Sequence, residues 1–252
     1  MEYSIDINCD MGESYGNFQI GNDAALMPYI SSCNIACGYH GGDPATILKT
    51  IRLAVKHNLQ IGAHPSYPDL AGFGRRSMIM SNVDLHAMLL YQISALLKMA
   101  ELEGAALKYI KPHGALYHAI SHQVDIAKIA FIVAERFQLP LMVLAGSDTA
   151  NWASKQNKLH IKESFLDRRY EADGRLVSRE KPTAVIKNTK VATQQFLNLV
   201  LHKKVRTSPD HELSVECDSI CIHGDNDAAL EILQAVSRVA AEENIKINGV
   251  SS

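Results

Sequence analysis

The chain has 252 residues, with Lys plus Arg at 25, Asp plus Glu at 27, a formal net charge of −2, 47% apolar and 21% charged residues. That balance excludes a disordered polyampholyte, which is poorer in apolar residues, and an electrostatically driven nucleic-acid binder, which carries a basic excess or face. The length suits one large domain or two small ones, with a core that needs no disulfide staple. Residues Met1 to Met11 lack the basic start and apolar stretch of a signal peptide, and the apolar run Leu139 to Gly146 is too short to span a bilayer. Five cysteines, an odd number, point to reduced thiols and a cytoplasmic protein. Cys33 and Cys37, like Cys217 and Cys221, read as small buried thiols in apolar stretches rather than zinc ligands.

In chain order, short apolar stretches alternate with longer segments of helical period. The expected strands are Tyr3 to Cys9, Ser32 to Cys37, Gln60 to Ala63, Ala106 to Lys111, Leu139 to Leu144, Leu159 to Phe165 and Ser219 to Ile222. Between them the pattern predicts helices from Asp43-Pro44 to His57, Ser81 to Glu103, Val124 to Phe137, Thr183 to Leu201 and Asp225 to Glu243. Strand–helix alternation means βαβ units and a parallel sheet, either an open doubly wound sheet or an incomplete barrel.

In such folds the working residues follow the carboxyl ends of the strands. The first strand runs into Asp6-Ile7-Asn8-Cys9-Asp10-Met11-Gly12-Glu13, which sets Asp6, Asn8 and Asp10 on one face. Inward polar groups of that kind are costly unless they are paired. The second strand leads into Asn34 and the Gly-rich turn around His40. The third leads into His64-Pro65 and then Gly72-Phe73-Gly74-Arg75-Arg76. Lys111-Pro112-His113 follows the fourth, Glu163 to Tyr170 with Arg168 ends the sixth, and His223-Gly224-Asp225 follows the seventh. Asp43 and Asp225 read first as helix N-caps. His57, His86, His202 and His211 read as surface residues. Of 11 histidines, His40, His64, His113 and His223 follow four different strands at the same end, which predicts a convergent, titratable pocket. Neither Gly-x4-Gly-Lys-Ser/Thr nor Gly-x-Gly-x-x-Gly occurs, which disfavours a stand-alone nucleotide domain of either familiar kind.

These stretches, from Asp6 to Asp225 and in this order, closely resemble the LamB/YcsF family. The family's usual Phe and Ala beside the second-motif His are Tyr39 and Gly41 here. Its Asn after Gly-Ala-Leu-Tyr is His118, and Thr183 stands where Gly is common. The resemblance implies a single domain over residues 1–252, a seven-stranded (β/α) barrel in the α/β class, similar to the glycoside hydrolase/deacetylase superfamily. It also implies ATP-dependent opening of 5-oxo-L-proline to L-glutamate, in a 5-oxoprolinase with subunits B and C as partners. ATP with Mg2+ is the implied cofactor, bound by this chain or with the partner subunits. No membrane or nucleic-acid partner is expected, and a homo-oligomer stays open. Asp10, Glu13, His64 and His113 are the acid/base candidates. Asn8, Asn34, His40, Arg75, Lys111, Glu163, Arg168 and His223 are candidates for holding substrate or phosphate. Two alternatives stand beside this reading. One is a metal-dependent, deacetylase-like hydrolase using Asp10, His40, His64 and His113, although the close metal-site spacing is absent between His40 and His64 and is found between His113 and His118. The other is a non-catalytic, substrate-binding component.

Overall fold

The computed structural model describes residues 3–250, so four residues of the expected 1–252 domain (1, 2, 251 and 252) lie outside the described residues. The strands are β1 (Tyr3–Met11), β2 (Ser32–Ala36), β3 (Gln60–His64), β4 (Leu107–Ile110), β5 (Leu141–Leu144), β6 (His160–Phe165), β7 (Lys204–Ser208), β8 (His211–Ser214), β9 (Ser219–Ile222) and β10 (Ile245–Ile247). The helices are α1 (Asp23–Leu26), α2 (Pro44–Lys56), α3 (Asn82–Leu102), α4 (Gly114–His122), α5 (Val124–Phe137), α6 (Asp148–Lys155), α7 (Thr189–His202) and α8 (Ala229–Glu242).

Seven strands pair in parallel in the order β1-β2-β3-β4-β5-β6-β9. The ring closes where β9 returns to β1, with Asp6 opposite Ser219 and Cys9 opposite Ile222. The seven staves are the seven expected strands, and closure decides for the barrel over an open sheet. Two features lie outside the staves. β10 adds to the first residues of β1, and β7 and β8 form an antiparallel hairpin.

The helices pack outside by ordinary amphipathic spacing. In α5, Ala127, Ala130, Phe131 and Ala134 are buried at intervals of three and four. The Asp43 carboxylate caps α2, accepting from the amides of Ala45 and Thr46, and the Ser81 hydroxyl caps α3. Asp225 is not a cap: α8 begins at Ala229, because Asp225 is drawn to Arg75 and Arg179 instead. Helix α7 begins at Thr189 rather than Thr183. The chain before it is spent on a bridge from Val185 to Arg168 and on the amide of Ile186 donating to the Asp167 carbonyl.

The barrel interior is polar in layers, as the alternation along β1 demands. At the bottom, Asp6 accepts from Ser31 at 2.7 Å, Ser32 at 2.6 Å and Ser219. In the middle, the Asn8 amide donates to Glu163 at 2.9 Å and Ser219 at 2.7 Å, and Asn34 donates to Asn8 at 2.7 Å. The Tyr109 hydroxyl donates to Asn34 Oδ1 at 2.7 Å. These partners meet the desolvation cost that three inward polar residues would otherwise carry.

Gly62 makes room for the Tyr109 ring, because a Cβ there would lie 2.1 Å from Tyr109 Cε2. Gly62→Ala is therefore expected to destabilise the fold by about 1–3 kcal/mol through overpacking, read as a lower urea midpoint with an unchanged slope. An unchanged midpoint would show that the ring moves aside freely.

Candidate active site

The top layer of the barrel opens into a cavity of about 650 Å³ at the carboxyl ends of the strands. Its floor is set by Asp10 from β1, His64 from β3, and Lys111 and His113 just beyond β4. Gly74 brings the β3–α3 loop down onto this floor: a Cβ there would lie 2.8 Å from the His113 ring and 2.9 Å from His40 Cβ.

Lys111 is 2% exposed. Its ammonium donates to Asp10 Oδ1 at 2.7 Å and Asn8 Oδ1 at 3.2 Å, and lies 3.1 Å from Glu163 Oε1. Burial alone would favour its neutral form, but Asp10, Cys221 and Glu163 together hold it well above the usual lysine range. Burial likewise works against the Asp10 carboxylate, yet His64 and Lys111 keep it well below its usual range. Glu13 goes the other way, pushed well up by burial and by the neighbouring Asp10 charge. Two carboxylates three residues apart are thus driven in opposite directions, the pattern that separates a base from an acid.

The histidine geometry fixes the tautomers. His64 Nδ1 lies 2.7 Å from the Lys111 carbonyl oxygen, and His113 Nε2 lies 2.8 Å from the Phe73 carbonyl oxygen. A carbonyl only accepts, so each of those nitrogens carries a proton. His64 Nε2 and His113 Nδ1 therefore face each other at 3.0 Å. Around them lie Asp10 Oδ2, 3.4 Å from His64 Nε2, and Glu13 Oε1, 3.4 Å from His113 Nδ1. His40 Nε2 lies 3.0 Å from Glu13 Oε1, and the His40 ring stacks on His113 at 3.7 Å and 3°. Burial and the neighbouring histidines push both His40 and His113 well below the usual imidazole range.

The walls are cationic. Arg75, Arg168, Arg175 and Arg179 line the cavity. Arg75 pairs with Asp225 and lies 4.8 Å over the Phe73 ring. Arg168 is 2% exposed, donates to the Val177 carbonyl at 2.6 Å, and leaves its Nε with no partner among the described residues. Burial, with Arg179 beside it, lowers Arg168 to about 10, so it remains a cation at neutral pH. His223, on the arginine side of the cavity, stacks on Phe165 and lies 2.9 Å from Asp167 Oδ1, so it stands apart from the other three histidines.

Of the expected site residues, Asp10, His64, Arg75, Lys111, His113, Arg168 and His223 line the cavity. Glu13 and His40 sit directly behind the floor, while Asn8, Asn34 and Glu163 lie a layer below and hold Lys111 and Asp10 in place. Tyr117, His118, Arg175 and Arg179 also line the cavity, and the strand-end pattern does not single them out. Their signal is Gly114-Ala115-Leu116-Tyr117, which opens α4, and the Arg-x3-Arg spacing after Gly174. His57 and His86 are half-buried, His202 and His211 are exposed, and none of the four borders the cavity. Cys9, Cys33, Cys37 and Cys221 are buried, Cys217 is half-buried, and all five are free thiols. No helix among the described residues is long and apolar enough to cross a membrane.

Residues 5–252 match the LamB/YcsF family. A relative from Pyrococcus furiosus, named as the A subunit of 5-oxoprolinase, is 41% identical over 245 residues, 96% of each chain. The crystal structure of a lactam utilization protein from Thermus thermophilus superposes with a TM-score of 0.90 at 38% identity, covering 97% of this chain and 99% of that one. A family 4 carbohydrate esterase from Streptomyces lividans shares the barrel alone, at a TM-score of 0.53 and 11% identity, covering 99% of this chain and 93% of that one. On this agreement of sequence and architecture, the chain belongs to the LamB/YcsF family.

Proposed function

We propose that this chain is the A subunit of an ATP-dependent 5-oxoprolinase and supplies the site where the lactam ring of 5-oxo-L-proline opens to give L-glutamate. The observation that carries the reading is the pairing of a buried acid/base floor with a cationic wall in one cavity. The floor is Asp10, His64 and His113; the wall is Arg75, Arg168, Arg175 and Arg179. The names of relatives at 41% identity support it.

A five-membered lactam is a poor electrophile. Phosphorylation of its oxygen by ATP, with Mg2+, makes the ring carbon electrophilic and places negative charge beside it. ATP is handled with subunits B and C, since this chain carries neither familiar phosphate-loop motif. Water then adds to the ring carbon while the Asp10 carboxylate takes its proton, with His113 beside it on the floor. The C–N bond breaks as the ring nitrogen receives a proton, and a second water releases phosphate from the resulting acyl phosphate. Lys111 keeps Asp10 ionised for this task. The arginines that line the cavity receive the substrate carboxylate and the phosphate.

Omitting one component at a time tests the reading. With ATP and 5-oxo-L-proline, subunits B and C are expected to form no glutamate until this chain is added. Full-rate glutamate formation by B and C alone would return this chain to a binding or scaffolding role. Arg168→Gln is expected to raise KM about 10- to 100-fold with a smaller change in kcat, the loss of charge-assisted hydrogen bonds. An unchanged KM in a folded variant would remove Arg168 from substrate binding.

A further inference from the structure

The floor holds a surplus of acceptors. With Nδ1 of His64 and Nε2 of His113 committed to carbonyl oxygens, His64 Nε2 and His113 Nδ1 confront each other at 3.0 Å, and two carboxylates, Asp10 and Glu13, close in on the same point. Such an arrangement is satisfied only by a proton shared between the groups or by a metal ion at their centre, and four ligand-type side chains meet there. We propose that this point is a divalent transition-metal site held by His64 Nε2, His113 Nδ1 and Glu13 Oε1, with the remaining coordination position turned towards Asp10 and the cavity.

The distances fit. The three donor atoms are separated by 3.0, 3.4 and 3.9 Å. These bracket the edge of about 3.4 Å expected for a tetrahedron with metal–ligand bonds of about 2.1 Å. The His64 and His113 rings cross at 86°, which lets both in-plane lone pairs meet at one ion. Each ligand histidine also donates its other N–H to a backbone carbonyl, the supporting bond that metal-bound imidazoles use to fix tautomer and orientation.

His40 belongs to the support and not to the ligands. Its ring lies parallel to His113 at 3.7 Å, so an ion in the plane of one ring is far out of the plane of the other. Its Nε2 instead orients Glu13 Oε1 at 3.0 Å. This replaces the expected ligand set of Asp10, His40, His64 and His113. A second group of donors, Asp10, Cys221 and His223, is not a site. The Lys111 ammonium already takes the cation's place there, 2.7 Å from Asp10 Oδ1 and 2.9 Å from Cys221 Sγ. Two neutral imidazoles and a carboxylate suit Zn2+, with Co2+, Mn2+ and Fe2+ as weaker competitors. Bound there, such an ion acts as a Lewis acid facing the cavity.

The proposal concerns the same site as the lactam-opening reading, so it is tested without substrate. Zn2+ and Co2+ are titrated into the purified full-length chain after chelator treatment, with bound metal counted by elemental analysis and Tm followed in parallel. One equivalent per chain, tight binding and a rise in Tm are expected for the wild type. His113→Gln and Glu13→Gln should each weaken binding at least about 100-fold. His40→Phe, which keeps the stacked ring, should weaken it only about 10- to 100-fold, as loss of a supporting bond does. Circular dichroism confirms that each variant is folded. Binding below one equivalent, or one equivalent unaffected by His113→Gln and Glu13→Gln, overturns the site. Either result leaves glutamate formation by the assembled enzyme to be judged on its own assay.

Discussion

His113→Gln and Asp10→Asn are each expected to lower glutamate formation by roughly 10²- to 10⁴-fold in the assembled enzyme, Asp10→Asn by removing a positioned base and His113→Gln by removing the group that completes the floor beside it. Both side chains are all but fully buried at the cavity floor, and both substitutions keep volume and hydrogen-bonding capacity. The loss should fall mainly on kcat, since binding rests on the arginine wall. The double variant should be little worse than the poorer single one, because the two groups work as one unit at the cavity floor. Steady-state assays with circular dichroism of each variant check this. A rate within about threefold of wild type in either folded variant would take that residue out of the chemistry.

Lys111→Met is expected to have the largest effect on stability. The lysine is the common partner of Asp10 and Glu163, and its removal leaves two buried carboxylates without their cation. Breaking a buried pair in this way costs about 3–5 kcal/mol, which for a chain of this size lowers Tm by roughly 6–20 °C. The sign with pH follows from the carboxylates. In the wild type, Asp10 is held below its usual range, so its contribution is present at neutral pH and fades as pH falls through that low value. Without Lys111, Asp10 titrates at higher pH and can be buried neutral. The deficit of the variant should therefore be greatest at about pH 7–8 and shrink towards about pH 5. Adding Glu163→Gln should restore part of the loss. Equilibrium melts of the single and double variants across that range check it. A constant deficit would mean that packing, not charge, holds the layer together.

Much of this was legible because the barrel imposes simple periods. The alternation Asp6, Asn8, Asp10 is the inward face of β1, and each of those residues finds hydrogen-bond partners in the barrel interior. All seven staves are visible as apolar stretches, and three of the four strand-end histidines converge, although the fourth, His223, turns to Asp167. What local pattern does not carry is anything decided by distant residues. Helix α4 is a single short amphipathic run directly after a strand, with no side-chain cap to announce it. The strand pair β7–β8 is largely polar and exposed, and β10 is three residues placed by the edge of β1. Asp225 has the sequence context of a cap, yet Arg75, 150 residues away, claims it. Arg175 and Arg179 have the composition of solvated loop residues, and only the fold brings them to the wall beside Arg168.

The most direct test of the central claim is a crystal structure of the chain with a stable phosphonate mimic of O-phosphorylated 5-oxoproline. The mimic should occupy the cavity above Asp10 and His113, with its ring carbon next to Asp10 Oδ2 and an anionic group on Arg168. Binding of the mimic elsewhere on the chain, with Asp10 and His113 untouched, would contradict the account.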